Sequence, residues 1–275
     1  MDTHSNLFFP SHANEFDRGL SLDGVRARAP AVFADSPHEA LSSKYTFIPT
    51  GRVLTGLMSA GFVPVDARQA STRRASPLHA RHVVRLRRRF ETVLLKDQSI
   101  PEVVFLNSHD GTSTYQLRMG IFRVVCTNGL IVSRGAFPAV CVPHRGNVVD
   151  EVIAGALRIS EQFDTLAAQV ERMERRRMLK DEQLRFAEAA LALRYPEPMG
   201  TGMQPSQLLT CRRAEDLGDT LWVLLNRVQE HLCRGGLSRR SPSGRLTRVR
   251  RLTSIKRDVQ LNGQLWDLAT GVLAA

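Results

Sequence analysis

The chain is 275 residues long, carries a formal charge of +11 and has a sequence pI near 10.5. Its hydrophobic share of 43% is ordinary, and the length suffices for one large domain or two smaller ones. No apolar stretch approaches the roughly 20 residues of a membrane span, and MDTHSNLFFPSH at the start has no basic segment before an apolar run, so a soluble, cytoplasmic protein is expected.

The excess of base favours an acidic partner such as nucleic acid or an anionic surface. Because Arg predominates over Lys, codon drift in a GC-rich genome is the alternative source of that excess. The cysteines at 126, 141, 211 and 233 are too scattered for a zinc ribbon or a redox pair and read as buried, reduced thiols.

Residues 1–44 hold few periodic apolar positions. They read as a partly extended arm, docked on its own domain or on a neighbouring subunit, or disordered. Leu22, Val25 and Phe33 suit a short helix there, starting near Ser21 or Asp23. From Tyr45 the chain becomes regular: Thr50 reads as a helix N-cap, Val53, Leu54, Leu57 and Met58 recur at helical spacing, and Gly61 ends the run. Phe62 begins a strand in which Pro64 predicts an edge position or a bulge, since proline offers the ladder no N–H. Arg68, Arg73 and Arg74 follow.

The stretch 79–90, HARHVVRLRRRF, is the most basic strand candidate. A period of two puts Arg85, Arg87 and Arg89 on one face about 7 Å apart, close to the phosphate repeat of an extended single strand. A solvated strand whose charges protect an edge is the alternative. HARH does not read as a metal site, because positions three apart face opposite sides of a strand.

Residues 101–133 form the centre of the chain. Glu102 to Asn107 is an apolar strand, His109-Asp110-Gly111-Thr112 a tight turn, and the run from Thr114 a returning strand. In that run Tyr115, Leu117 and Met119 alternate with Gln116, Arg118 and Gly120, the pattern of a half-covered antiparallel sheet. The segment 121–125, which includes Arg123, leads into Cys126-Thr127-Asn128-Gly129, whose Asn-Gly pair marks a second turn before Leu130-Ile131-Val132.

After His144-Arg145-Gly146, Ile159, Phe163, Leu166, Val170 and Met173 recur as the seam of a long helix. A break near 179–181 and a second helix to Tyr195 complete a helical hairpin. Residues 197–207 read as a linker or flap. Leu221 to Cys233 is an amphipathic helix with Trp222, Leu225, Val228 and Leu232 on its apolar face and Asn226, Arg227, Gln229, Glu230 and His231 on its polar one. Residues 234–257 contain no acid and are rich in Arg, Ser, Thr and Gly, the composition of a flexible phosphate-binding loop. A helix bearing Leu261, Leu265, Trp266 and Leu268 closes the chain.

The fold expected is α+β: an antiparallel sheet of about four to six strands with a short helix before it and a helical hairpin and C-terminal helices after it. Its divisions fall at an arm (1–44), a sheet core (45–147), a hairpin (148–196) and a C-terminal part (197–275).

NSHDGTSTYQLRMG followed by FRVVCTNGLIV resembles the signature of the phage- and plasmid-borne family known as domain of unknown function 932. YTFIPT at 45–50, Gly61-Phe62, His144-Arg145-Gly146 and NRVQEHLCRGG at 226–236 resemble that family's other blocks, in the same order. The resemblance implies a protein of a mobile element and brings no mechanism with it. In element order alone, the chain is loosely similar to the Rad52-like single-strand annealing proteins, an analogy that does not establish function.

No nucleophile elbow, phosphate-binding glycine loop or carboxylate cluster is present, so no catalytic residue, cofactor or metal is assigned. The leading expectation is a non-catalytic nucleic-acid-binding protein, favouring single-stranded DNA and holding phosphates by Arg68, Arg73, Arg74, Arg85, Arg87, Arg89, Arg239, Arg240, Arg245, Arg248, Arg250, Arg251 and Lys256. The signature residues Asn107, His109, Asp110, Gly111, Arg118, Arg123, Asn128, Gly129, His144 and Arg145 are expected to shape turns. Two alternatives stand beside it: a module that binds host restriction or defence machinery, and a nucleic-acid-processing enzyme, which needs His109, Asp110, Asn128, His144 and Arg145 in one pocket. A homo-oligomer is left open.

Overall fold

Runs of β-branched and aromatic residues between glycine- and proline-marked turns build a meander. In the computed structural model, which describes residues 19–41, 45–71, 76–89, 99–123, 129–132, 137–196, 202–241 and 243–274, these runs become β1 (Phe62–Gln69), β2 (His82–Arg88), β3 (Ser99–Asn107), β4 (Tyr115–Arg123), β5 (Gly129–Val132) and β6 (Val140–Val142). All pairings are antiparallel, in the order β1-β2-β3-β4-β5. β6 pairs the first half of β4 and β5 its second half. Arg73, Arg74, Cys126 and Asn128 lie outside the described residues.

The period of two divides the side chains between two faces. Val84, Leu86, Val103, Phe105, Tyr115, Leu117, Met119 and Ile121 belong to the main core. Against them pack α2 (Thr50–Ser59), with Val53, Leu54 and Leu57, and α3 (Val148–Ser160), with Val152, Ala156 and Ile159. β1 is the edge strand, and its register shifts between Pro64 and Asp66. Proline thus produces both the edge and the bulge.

The opposite face differs from the half-covered sheet expected. Val83, Val104, Leu106, Phe122 and Ile131 form a second, smaller core under Ile255 and Val259 of the last helix, α7 (Ile255–Ala274). β3 is therefore buried along its whole length.

The arm is not wholly extended. α1 (Leu22–Arg28), capped by Ser21, and a 3-10 turn at Pro30–Phe33 dock on the chain's own sheet and bury Val25, Ala29, Ala31 and Val32. The long helix is bent into α3 and α4 (Phe163–Arg175), and after a break α5 (Lys180–Arg194) follows as the second arm of a bent helical hairpin. The arginines at the end of α4 are paired: Arg175 with Glu171, Arg176 with Glu182 and Arg177 with Asp219.

α6 (Leu221–Arg234) corrects a further expectation, because most of its polar side is buried. Arg227 donates to the carbonyls of Leu209, Asp216 and Gly218, and Gln229 donates to Gly129 O and Asn262 Oδ1. Glu230 pairs with Arg213 and Arg234. Burial without a partner would cost about 1–3 kcal/mol per group; loops at 209–218, β5, α7 and α6 itself supply most of those partners, with Arg227 Nε left over. The thiols of Cys141 and Cys211 are free and exposed, not buried.

Candidate nucleic-acid interface and a buried histidine network

The second face of the sheet gathers charge because β1, β2 and β4 each contribute alternate residues to it: Asp66 and Arg68, Arg85 and Arg87, Gln116 and Arg118. In the centre stands Glu102, fully buried on β3. It accepts from Arg85 Nε at 2.7 Å and Nη2 at 3.0 Å, and from Arg87 Nε at 2.7 Å. Arg85 also lies 3.6 Å from Asp66 and stacks its guanidinium 3.3 Å from the Phe122 ring centre. Of the stripe foreseen on β2, Arg85 and Arg87 share one face, and both are committed to a buried carboxylate. Arg89 sits in the turn after the strand, exposed.

The segment 234–257 is not a flexible loop. Gly235, at φ +74°, ends α6. The chain then forms a hairpin of β7 (Ser238–Arg240) and β8 (Leu246–Arg248) and returns as an irregular strap, 249–254, into α7. Pairing puts Arg240, Leu246 and Arg248 on one hairpin face and Arg239 on the other. Gln207 holds β7 through both its amide atoms, at 2.8 and 3.0 Å from Ser238. Leu252 N donates to Cys233 O at 2.7 Å, and Arg194 to Arg250 O at 2.8 Å.

This path lays the strap across the charged sheet face. Arg68 meets Asp258 of α7 at 2.5 Å. A cleft of about 560 Å³ holds Arg85 and Arg251 together, and a second, of about 490 Å³, holds Arg81, Arg118 and Lys256. Arg240, Arg245, Arg248, Arg250, Arg251 and Lys256 are exposed and form no ion pair among the described residues.

The signature blocks converge elsewhere, on the Thr50 hydroxyl. Thr50 does not cap α2; Pro49 stands at the cap, and Thr50 Oγ1 lies 2.9 Å from His82 Nε2, 3.0 Å from His109 Nε2 and 2.9 Å from Asn107 Nδ2. His82 Nδ1 faces the Ala80 carbonyl at 2.9 Å and must carry its proton, so Nε2 accepts from Thr50. The hydroxyl has one proton, so His109 and Asn107 both donate to it. His144 Nε2 donates to Asn107 Oδ1 at 3.1 Å and to Ser113 O at 3.2 Å, which leaves Nδ1 to accept from the Tyr45 hydroxyl at 3.1 Å.

Every imidazole in this arrangement is neutral. Burial pushes His82 down to about 4 and, with the neighbouring His82 and His144, His109 down to about 3. Burial likewise lowers His144 and pushes Tyr45 up to about 12. The arrangement joins the 45–50 segment, the β3–β4 turn and the 144 loop; it is a structural lock.

Asp110 turns away from it, accepting from Ser108 Oγ at 2.7 Å and from Thr112 N and Oγ1 at 3.0 and 2.7 Å. Burial favours its neutral form, yet these hydrogen bonds outweigh it and hold the carboxyl below its ordinary value. Gly111, at φ +76°, completes the turn. Arg145 is exposed, and Arg123 is buried against Asp216 at 2.7 Å. Gly129 starts β5 and gives its carbonyl to Gln229. Of the five residues an enzyme reading requires in one pocket, only His109 and His144 share this network, and Asn128 lies outside the described residues.

Sequence reasoning assigns no role to Thr50, His82, Glu102 or Arg81 at these sites. Glu102 had a signal: a single acid in an apolar strand needs a cation across the ladder. Among the described residues no group of three His, Cys, Asp or Glu could hold a metal, and no helix is long and apolar enough to cross a membrane.

Comparison with known proteins gives relatives over nearly the whole length. The chain is 38% identical over 261 residues to the UPF0380 proteins YafZ and YfjQ of Escherichia coli K12, covering 94% of this chain and 93% of each of those. No solved structure matches. The model of the family described as "Domain of unknown function (DUF932)" matches residues 37–266, and the chain belongs to that family.

Proposed function

We propose that the protein is a non-catalytic accessory protein that binds single-stranded nucleic acid through its phosphates, in keeping with its resemblance to phage- and plasmid-borne proteins. One observation carries the reading: two basic blocks far apart in sequence, 81–89 and 234–257, lie side by side because the strap crosses the sheet. Arg240, Arg245, Arg248, Arg250, Arg251 and Lys256 are exposed with no acidic partner among the described residues, whereas Arg85, Arg87 and Arg234 have one. A short hairpin and an irregular strap suit a strand that follows the protein surface better than a duplex groove, which favours a projecting helix. Phosphate contacts of this kind make affinity steeply salt-dependent and weakly sequence-specific.

Fluorescence anisotropy with single- and double-stranded oligonucleotides across a salt series tests it. Single strands bind more tightly, and replacing Arg248, Arg250 and Arg251 together by Ala flattens the log–log salt slope by about 2, at about 0.7 for each phosphate no longer neutralised. Absence of micromolar binding at low salt overturns the proposal, and an unchanged slope in the triple variant removes the strap from the interface.

A further inference from the structure

The two main clefts beside the strap differ in charge balance. The larger, of about 560 Å³, includes Asp66 and Asp258 in its walls, and these carboxylates already hold Arg85 at 3.6 Å and Arg68 at 2.5 Å. Its charge is thus compensated in part, with Arg234 and Arg251 also in its walls. The smaller, of about 490 Å³, lies between the β3–β4 turn and the first turns of α7. Arg81, Arg118 and Lys256 line it, and no acidic residue is among its described lining.

Neutral acceptors help hold the cations of the smaller cleft in place. Arg81 donates to Thr112 O at 3.1 Å, and Arg118 Nη2 to Gln116 Oε1 at 2.9 Å. These acceptors orient the guanidiniums and carry no charge themselves. Lys256 projects from the first turn of α7, where the backbone N–H groups add partial positive charge. Asp110 borders an adjoining cleft of about 360 Å³ that shares Arg81 and Lys256, and it spends Oδ1 on Ser108 and Thr112. The floor is apolar and shallow, made of Leu106, Ala139, Val259 and Gly263.

We infer that this cleft is a site for a phosphomonoester dianion with its nucleoside: a nucleoside monophosphate, or the phosphorylated end of a strand. Arg81 and Lys256, which form no ion pair among the described residues, match a dianion better than the single charge of an internal phosphodiester, and charge-assisted hydrogen bonds from guanidinium to phosphate are the strongest available. The volume falls in the range of roughly 300–1,000 Å³ typical of small-ligand sites and exceeds what phosphate alone fills, leaving the apolar floor for sugar and base. For the strand end, the inference rests on the nucleic-acid reading above; for the free nucleotide it does not.

The test uses the full chain and isothermal titration with adenosine 5′-monophosphate, adenosine and inorganic phosphate, together with anisotropy of one oligonucleotide carrying either a 5′-phosphate or a 5′-hydroxyl. The nucleotide binds, adenosine does not, phosphate competes, and the phosphorylated oligonucleotide binds more tightly than its partner. Lys256→Glu, at an exposed position that leaves the core intact, weakens nucleotide binding by about tenfold or more. Arg81→Gln weakens it as well.

Equal binding of nucleotide and adenosine, no binding of either, or a Lys256→Glu variant that binds the nucleotide like the parent overturns the site. If oligonucleotides bind without regard to the 5′-phosphate and the nucleotide does not bind, the cleft inference fails while the nucleic-acid reading stands. If the nucleotide binds and no oligonucleotide does, the reverse holds.

Discussion

Replacing Thr50 by Val removes one hydroxyl and nearly preserves shape, and the geometry gives a large cost for so small a change. Thr50 is fully buried, as are the groups it serves: His82 Nε2 at 2.9 Å, His109 Nε2 at 3.0 Å and Asn107 Nδ2 at 2.9 Å. Valine leaves one acceptor and two donors without that partner in a region closed to water. At about 1–3 kcal/mol for each abandoned group, less some relaxation, the loss is about 3–5 kcal/mol. Thr50→Ser keeps the hydroxyl and discards a methyl, which costs about 1 kcal/mol. Urea unfolding followed by circular dichroism measures both variants against the parent. A Thr50→Val loss below about 1 kcal/mol, or a loss equal to that of the serine variant, would refute the assignment of the hydroxyl as the hub.

The same network predicts a pH dependence. His82, His109 and His144 all have folded values below the ordinary 6.5, so the unfolded chain binds protons that the folded chain refuses. Stability is therefore full above pH 6.5 and falls as pH drops toward the folded values; His82, at about 4, contributes about 3 kcal/mol of that loss. Unfolding free energies that stay level between pH 7 and pH 5 would contradict this. At the sheet face, Glu102→Gln removes the buried carboxylate that Arg85 and Arg87 share, leaving Arg85 only the half-exposed Asp66 carboxylate at 3.6 Å among the described residues, and costs about 3–5 kcal/mol in the same denaturation assay. A change within about 0.5 kcal/mol would mean that solvent, not Glu102, balances Arg85 and Arg87.

What is legible in the sequence is local in origin. Pro64 forbids a central ladder position, Gly111 tolerates positive φ, and the alternation at 115–119 follows from the pleat; each constraint acts within a few residues. Sequence reasoning fails where a side chain's partner is set by the fold. Thr50 has the composition of a helix cap, and only the meander reveals that His82 and Asn107 arrive 32 and 57 residues later to claim its hydroxyl. Arg85 and Arg87 belong on one face by their spacing alone, yet their diagonal neighbour Glu102 depends on the β2–β3 register, which pairs Arg85 with Val104. The polar side of α6 has the composition of a solvated face, and composition does not disclose that loops from 204 to 219 will cover it.

Arginine content alone therefore says little about where this chain meets an anion. Nine of its 38 basic residues fall between Arg234 and Arg257, where no acid occurs, and that leaves the rest of the chain close to neutral. Codon drift would spread an excess of arginine along the whole sequence, whereas here the excess lies in one hairpin and strap. The fold sharpens the distinction: Arg68, Arg85, Arg87 and Arg123 each face a carboxylate, while Arg240, Arg245, Arg248, Arg250 and Arg251 face solvent with none among the described residues. A cation already matched to a buried acid must lose that partner before it can serve a phosphate, and the desolvated acid left behind costs more than an exposed ion pair returns. Under the proposed reading, the strap and hairpin carry the charge for binding, because their exposed arginines form a cluster with no acidic partner among the described residues.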